Sequence, residues 1–164
     1  MPSVLFVCTG NICRSPMAAA FFTARLPELD PNWLDWRVES AGTWTTPGRP
    51  AALLARQVMA ERGIDITRHR SREVSQDLLE QFALILTMET GQKEALQVEF
   101  SHLAGRIYLL SEMSGAQVTI DDPMGGPPDA FHKTAAQIER YIRRGQEYIV
   151  RRLRSGPSYP SDPA

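Results

Sequence analysis

Val4-Leu5-Phe6-Val7-Cys8-Thr9-Gly10-Asn11-Ile12-Cys13-Arg14-Ser15-Pro16 is the stretch whose reading decides the fold of this chain. Val4 to Val7 is a short, continuous apolar run, the pattern of a parallel strand buried on both faces. Ser15 suits a helix N-cap and Pro16 a first helical position, and Met17-Ala18-Ala19-Ala20-Phe21-Phe22 continues as helix. The loop between Cys8 and Arg14 then lies between the carboxyl end of a strand and the amino end of a helix. Such a loop can turn several backbone N–H groups toward one anion, and the helix dipole adds to the attraction. Gly10 and Asn11 tolerate the positive φ angles that a curved loop demands.

Cys8 stands at the rim of this anion nest. The field that attracts a phosphate also stabilises a thiolate. Arg14, five residues beyond the intervening loop's start at Thr9, carries a planar fork that can grip two phosphate oxygens. A nucleophile, a cradle of N–H donors and a phosphate clamp are thus proposed together. A bare C-x5-R also describes a packed cysteine and a surface arginine; the whole string after an apolar strand is far more specific.

The chain has 164 residues, 43% hydrophobic and 23% charged, with a net charge of −1. These values fit one folded domain and give no electrostatic reason to expect nucleic acid as a partner. No apolar run approaches a membrane span, and the first residues read as a strand, not as a signal peptide. The two cysteines, Cys8 and Cys13, are too few for a disulfide scaffold, and His69, His102 and His132 are scattered. A cytoplasmic protein without metal or cofactor is expected.

Further along, Trp36–Ala41 alternates apolar and polar, Phe82–Met88 is a continuous apolar run, and these two with Arg106–Leu110 read as three more strands. Met17–Leu26, Ala51–Arg62, Ser75–Gln81, Glu89–Glu99 and Asp129–Leu153 read as helices. Pro27 and Pro31 punctuate a loop, and Leu53, Leu54, Val58 and Met59 share one helix face. Alternating strands and helices predict a three-layer α/β fold, a four-stranded parallel sheet with helices on both faces. Residues 1–154 form one domain and 155–164, with Tyr159, a flexible tail. Ligands of such sheets bind beyond the carboxyl ends of the strands, where Cys8, Ser40, Glu89 and the loop 111–128 all fall. A carboxylic acid there could protonate a leaving oxygen; Asp121 and Asp122, before Pro123, are the candidates.

V-C-T-G-N-I-C-R-S-P at residues 7–16 resembles the phosphate-binding loop of the low-molecular-weight protein-tyrosine phosphatases, and the resemblance extends from Val4 to about Leu153. It implies the flavodoxin-like fold of that family (the phosphotyrosine protein phosphatase I type). It also implies hydrolysis of phosphotyrosine through a phosphocysteine on Cys8, with Arg14 and the N–H groups of Thr9, Gly10, Asn11, Ile12, Cys13 and Ser15 holding the phosphate. The match to the family's late Asp-Pro selects Asp122 as general acid and base. It gives Asn11, Ser15, Ser40 and His69 the task of bracing the loop, and Cys13 that of a reversible disulfide partner for Cys8. Its partners are a phosphorylated protein or peptide substrate and inorganic phosphate or other oxyanions as inhibitors.

The substrate wall departs from the family. Met124 follows the Asp-Pro where many relatives carry an aromatic residue; Trp44 could supply a ring instead, and Ile12 presents an apolar surface. Ile12 favours an aromatic substrate, since protein-arginine phosphatases of the family tend to carry Thr there. Asp122-Pro123-Met124-Gly125-Gly126 matches those arginine phosphatases, which remain the alternative. A thiol-dependent arsenate reductase would need relay cysteines beyond Cys13, and a non-catalytic phosphoprotein-binding module would not need Cys8, Arg14 and Asp122 together. Glu89 is expected to cap the helix that follows it, and six arginines on the last helix (Arg140, Arg143, Arg144, Arg151, Arg152, Arg154) to form a solvated face.

Overall fold

A computed structural model describes residues 1–155. Four strands, β1 (Ser3–Cys8), β2 (Arg37–Gly42), β3 (Leu84–Thr87) and β4 (Ile107–Leu109), pair in parallel in the order β2-β1-β3-β4. Val4 lies opposite Val38 on one side and Leu84 on the other; Ile85 lies opposite Ile107. This is the expected flavodoxin-like arrangement. The chain steps from β1 to β2 on one side and then crosses to β3 on the other. The carboxyl ends of β1 and β3 therefore flank the switch point where such sheets bind ligands.

Alternation along β1 divides the core. Val4 and Phe6 face a cluster with Phe22, Met59, Ile138 and Ile142, drawn from α1 (Arg14–Leu29), α2 (Leu53–Glu61) and α5 (Pro128–Arg154). Leu5 and Val7 face Leu79, Leu96 and Leu103, from α3 (Gln76–Glu80), α4 (Thr90–Glu99) and the 3-10 turns Ser101–Arg106, and Phe100, the C-cap of α4. All of β1 is buried, which is why its sequence reads as an unbroken apolar run.

Local chemistry sets the helix limits. Ser75 accepts the Leu78 N–H and caps α3. α2 closes on Gly63 at φ +76, with Gly63 N–H bonded to Ala60 O and Ile64 N–H to Met59 O, the paired bonds of a Schellman motif.

Several expectations need correction. Helix α1 begins at Arg14, and its N-cap is Cys13, which makes no side-chain cap bond. Ser15 is not the cap and Pro16 is the third helical residue, because the Ser15 hydroxyl is turned inward onto Cys8 and Asn11. Pro27 lies inside α1. It costs one bond in the last turn, and Leu26 and Leu29 on either side are held against the core. Leu53 is 58% exposed, so the inner face of α2 is Ala55, Val58 and Met59. Part of the loop 111–128 is a 3-10 turn, Leu110–Ser114.

The arginine face of α5 is not uniformly solvated. Arg152 bonds the hydroxyls of Tyr108 and Tyr148. Arg154 Nε reaches Asp30 Oδ2 at 2.6 Å, and its NH2 donates to the Asn32 carbonyl. Hydrogen bonds from Trp36 and then Arg154 hold the Asp30 carboxyl down to about 2. Ser155 is the C-cap of α5; the rest of the expected tail, with Tyr159, lies outside the described residues.

Candidate active site

The loop from Cys8 to Arg14 is held open from outside. Asn11 has φ +53, a left-handed conformation that costs most side chains roughly 1–2 kcal/mol and that Asn tolerates. Its side chain is fully engaged: Nδ2 donates to Ser15 Oγ (2.8 Å) and Ser40 Oγ (2.9 Å), and Oδ1 accepts the Arg72 N–H (3.0 Å). His69 Nε2 donates to the Asn11 carbonyl at 2.5 Å. Burial pushes His69 below its ordinary value, the Asn11 carbonyl opposes this, and Arg70 and Arg72 add to it. Gly42 closes the brace: a Cβ there would lie 2.5 Å from the Thr9 carbonyl oxygen.

The loop carbonyls have partners outside the loop as well. Cys8 O accepts from Thr43, Thr9 O from Trp44 and Ile12 O from Ala52. Among the described residues, no N–H from Gly10 to Arg14 has a protein acceptor. With the carbonyls tied outward, these donors are left for an anion.

Cys8 Sγ lies 3.0 Å from Ser15 Oγ and accepts the Ser15 N–H at 3.4 Å. Ser15 Oγ accepts from Asn11, and its own proton has two acceptors in reach, the Cys8 sulfur at 3.0 Å and the Ala41 carbonyl at 3.4 Å. Arg14 is only 1% exposed. Its NH1 donates to Glu89 Oε2 (2.9 Å) and Ile120 O (2.8 Å), and its NH2 lies 3.6 Å from Asp122 Oδ2. A buried guanidinium needs such partners, since an uncompensated charge there is strongly destabilising. Glu89 stands at the N-cap of α4, as its position in the sequence suggests, but it also anchors Arg14. Gln92 completes the module. Its Oε1 accepts the N–H groups of Met88 and Glu89, and its Nε2 donates to Glu89 Oε2 (2.9 Å) and Thr9 Oγ1 (3.0 Å).

A cavity of about 130 Å³ sits over this floor, lined by Cys8, Thr9, Gly10, Ile12, Cys13, Arg14, Asp122 and Met124. Asp122 Oδ1 accepts the Met124 N–H at 3.0 Å, which sets the turn at Pro123. Asp121 does not line the cavity. Ile12 and Met124 do; Trp44 is 80% exposed and does not reach its wall, though its N–H is tied to Thr9. Burial, then the charges of Cys8 and Asp122, push the Cys13 thiol up against the pull of Arg14, so it stays protonated. Among the described residues no group of three or more His, Cys, Asp or Glu could hold a metal ion, and no helix is long and apolar enough to cross a membrane.

Three participants escape a reading of the sequence. Arg72 acts through its backbone N–H, to which residue type gives no clue, and Gly42 through a close approach set by tertiary packing. Gln92 did leave a signal: Glu89-x-x-Gln92 has the spacing of a capping box.

A sequence profile described as "Low molecular weight phosphotyrosine protein phosphatase" matches residues 3–153. Over 140 residues the chain is 39% identical to a probable low molecular weight protein-tyrosine-phosphatase, EpsP, of Ralstonia solanacearum, covering 85% of this chain and 90% of that one. It is 34% identical over 148 residues to a protein-arginine-phosphatase of Geobacillus stearothermophilus, covering 89% and 95%. The crystal structure of a low molecular weight protein tyrosine phosphatase from T. tengcongensis superposes with a TM-score of 0.82 at 35% identity, covering 90% of this chain and 99% of that one. With the loop geometry and the fold, these likenesses place the chain in the low-molecular-weight protein-tyrosine phosphatase family.

Proposed function

We propose that this protein hydrolyses phosphotyrosine in proteins, with Cys8 as nucleophile, Arg14 as phosphate clamp and Asp122 as general acid and base. The observation that carries this reading is the run of N–H groups from Gly10 to Arg14 without protein acceptors, beside the Cys8 sulfur and the buried Arg14. Donors fixed in advance around the place where charge develops are the main source of electrostatic catalysis.

The reaction is two displacements. The Cys8 thiolate attacks phosphorus in line; an S–P bond forms, the ester P–O bond breaks, and the leaving oxygen takes a proton from Asp122. Arg14 and the loop N–H groups bear the equatorial oxygens. Water then attacks phosphorus, the S–P bond breaks, and Asp122 accepts the water's proton. Glu89 and Gln92 keep the Arg14 fork in place; Asn11, Ser15, Ser40 and His69 keep the loop curved. Two free thiols in a 164-residue chain suit the cytoplasm. Inorganic phosphate and other oxyanions compete for the same cavity.

A second reading has a specific observation behind it. A relative at 34% identity is a protein-arginine-phosphatase, and Asp122-Pro123-Met124-Gly125-Gly126 keeps the pattern of that group. The apolar Ile12 on the cavity wall favours an aromatic ring. Side-by-side turnover of phosphotyrosine and phosphoarginine peptides tests the choice: kcat/KM higher for phosphotyrosine supports the first reading, and the reverse order replaces it with the second.

A further inference from the structure

Behind the Asn11 brace lies a second hollow, of about 390 Å³, whose charged lining is Glu39, Asp65, Arg68, Arg70 and Arg72, with Ser40 and His69 beside them. That is within the size range of sites for small molecules. Three arginines there face two carboxylates. Arg72 NH2 pairs with Glu39 Oε1 at 2.7 Å, but Arg37 shares the same carboxylate. Asp65 holds the Thr67 N–H; hydrogen bonds from Thr67 keep its carboxyl below the ordinary value, and the charge of Arg68 adds to this. Arg68 and Arg70 have no carboxylate within 4.0 Å among the described residues. Arg70 is also fixed in place: its NH1 donates to the carbonyls of Thr67 (3.2 Å) and His69 (2.7 Å), leaving its Nε and NH2 edge without a protein acceptor. That edge is the side-on fork that suits two oxygens of one phosphate.

We propose that this hollow is a second anion site, which takes a phosphate group, free or carried on a small molecule, and tightens the phosphate loop through Asn11. The connection is short. Ser40, His69 and Arg72 line the hollow and also make the bonds that hold Asn11, at 2.9, 2.5 and 3.0 Å. Asn11 holds Ser15, and Ser15 touches Cys8. A phosphate drawn in by Arg68, Arg70 and the remaining N–H groups of Arg72 orders the connector that carries His69 and Arg72. The catalytic loop then has less freedom to lose when an oxyanion binds, and the coupling is reciprocal. The site stands independently of which phosphoester the catalytic cavity hydrolyses.

The test separates the two cavities. With the catalytic cavity blocked by carboxymethylation of Cys8, which lines that cavity and not the second hollow, AMP in one arm and inorganic phosphate in another are titrated by calorimetry. One equivalent of either should bind the wild-type protein, and at least tenfold more weakly to Arg68→Ala/Arg70→Ala. Arg68→Glu, at an exposed side chain with no hydrogen bond to lose, should act in the same direction. In the kinetic arm, AMP should raise kcat/KM for p-nitrophenyl phosphate at least twofold in wild type and leave the double variant, whose basal turnover is normal, unchanged. AMP binding with phosphate silent assigns the site to phosphorylated metabolites; phosphate binding alone assigns it to the free anion. No binding to the Cys8-carboxymethylated protein, or equal binding to the variants, overturns the site, and binding without any kinetic effect overturns the coupling. Absence of p-nitrophenyl phosphate turnover would count against the proposed hydrolysis and leave the calorimetric arm intact.

Discussion

Replacing Asn11 by Ala should loosen the phosphate loop without touching any group that contacts phosphate through its side chain. The substitution removes three hydrogen bonds, the buried ones to Ser15 Oγ and Ser40 Oγ and the partly buried one from the Arg72 N–H. At about 1 kcal/mol each these contribute about 3 kcal/mol. The backbone at φ +53 then passes from Asn to Ala, which adds about 1 kcal/mol. A total of about 4 kcal/mol lowers Tm by roughly 8–16 °C in a chain of this size. Asn11→Gly makes the same three losses but bears the left-handed backbone freely, so it should melt about 2–4 °C above the Ala variant. Because Asn11 also sets the Ser15 hydroxyl against Cys8, kcat/KM for p-nitrophenyl phosphate should fall at least about tenfold, the equivalent of 1.4 kcal/mol. Phosphate inhibition should weaken in parallel. Calorimetric melting and steady-state kinetics on the two variants decide it. An Ala variant that melts within about 3 °C of wild type and keeps its phosphate inhibition would refute the view that Asn11 holds the loop.

Cys8→Ser should abolish hydrolysis while tungstate still binds; turnover at the wild-type rate would falsify the two-displacement mechanism. Asp122→Ala should slow esters with poor leaving groups most, and a larger effect from Asp121→Ala would move the acid by one residue. Glu89→Gln should raise KM and weaken phosphate inhibition, because Arg14 keeps a hydrogen bond but loses its 2.9 Å carboxylate; an unchanged KM would deny Glu89 its positioning role. His69 has a lowered folded pKa, so below the unfolded value of about 6.5 the unfolded chain binds the proton more readily and stability falls with pH. His69→Gln, which keeps a donor for the Asn11 carbonyl, should lose less stability in urea between pH 7.5 and 5.5; an equal loss in both proteins would show that another group titrates.

The strand-loop-helix stretch at residues 4–16 is legible because its causes are local. A strand buried on both faces must be apolar throughout, and a loop curved around an anion needs residues that accept positive φ. Those two demands appear directly as Val4–Val7 and as Asn11, at φ +53; Gly10, which the sequence also offers, does not take a positive φ. The boundaries were less legible for an equally physical reason. Ser15 has the composition of an N-cap, yet its hydroxyl is drawn to Cys8 and Asn11, groups that folding brings within 3.0 Å. Pro27 reads as a helix stop, yet the buried Leu26 holds the last turn of α1 in place.

By itself, then, the sequence determined the α/β fold, the nucleophile, the clamp and the family resemblance, since each is written in contiguous residues with period or spacing. Tertiary structure alone decided that Glu89, Gln92 and the Ile120 carbonyl fix the buried Arg14. It also decided that the Arg72 backbone and the missing side chain of Gly42 complete the Asn11 brace. Those partners lie 31 to 106 residues from the groups they serve, and their roles come from backbone atoms, close approach and shared burial. The opening stretch is a phosphate nest in its own right only because three distant segments hold its carbonyls outward and leave its N–H groups free.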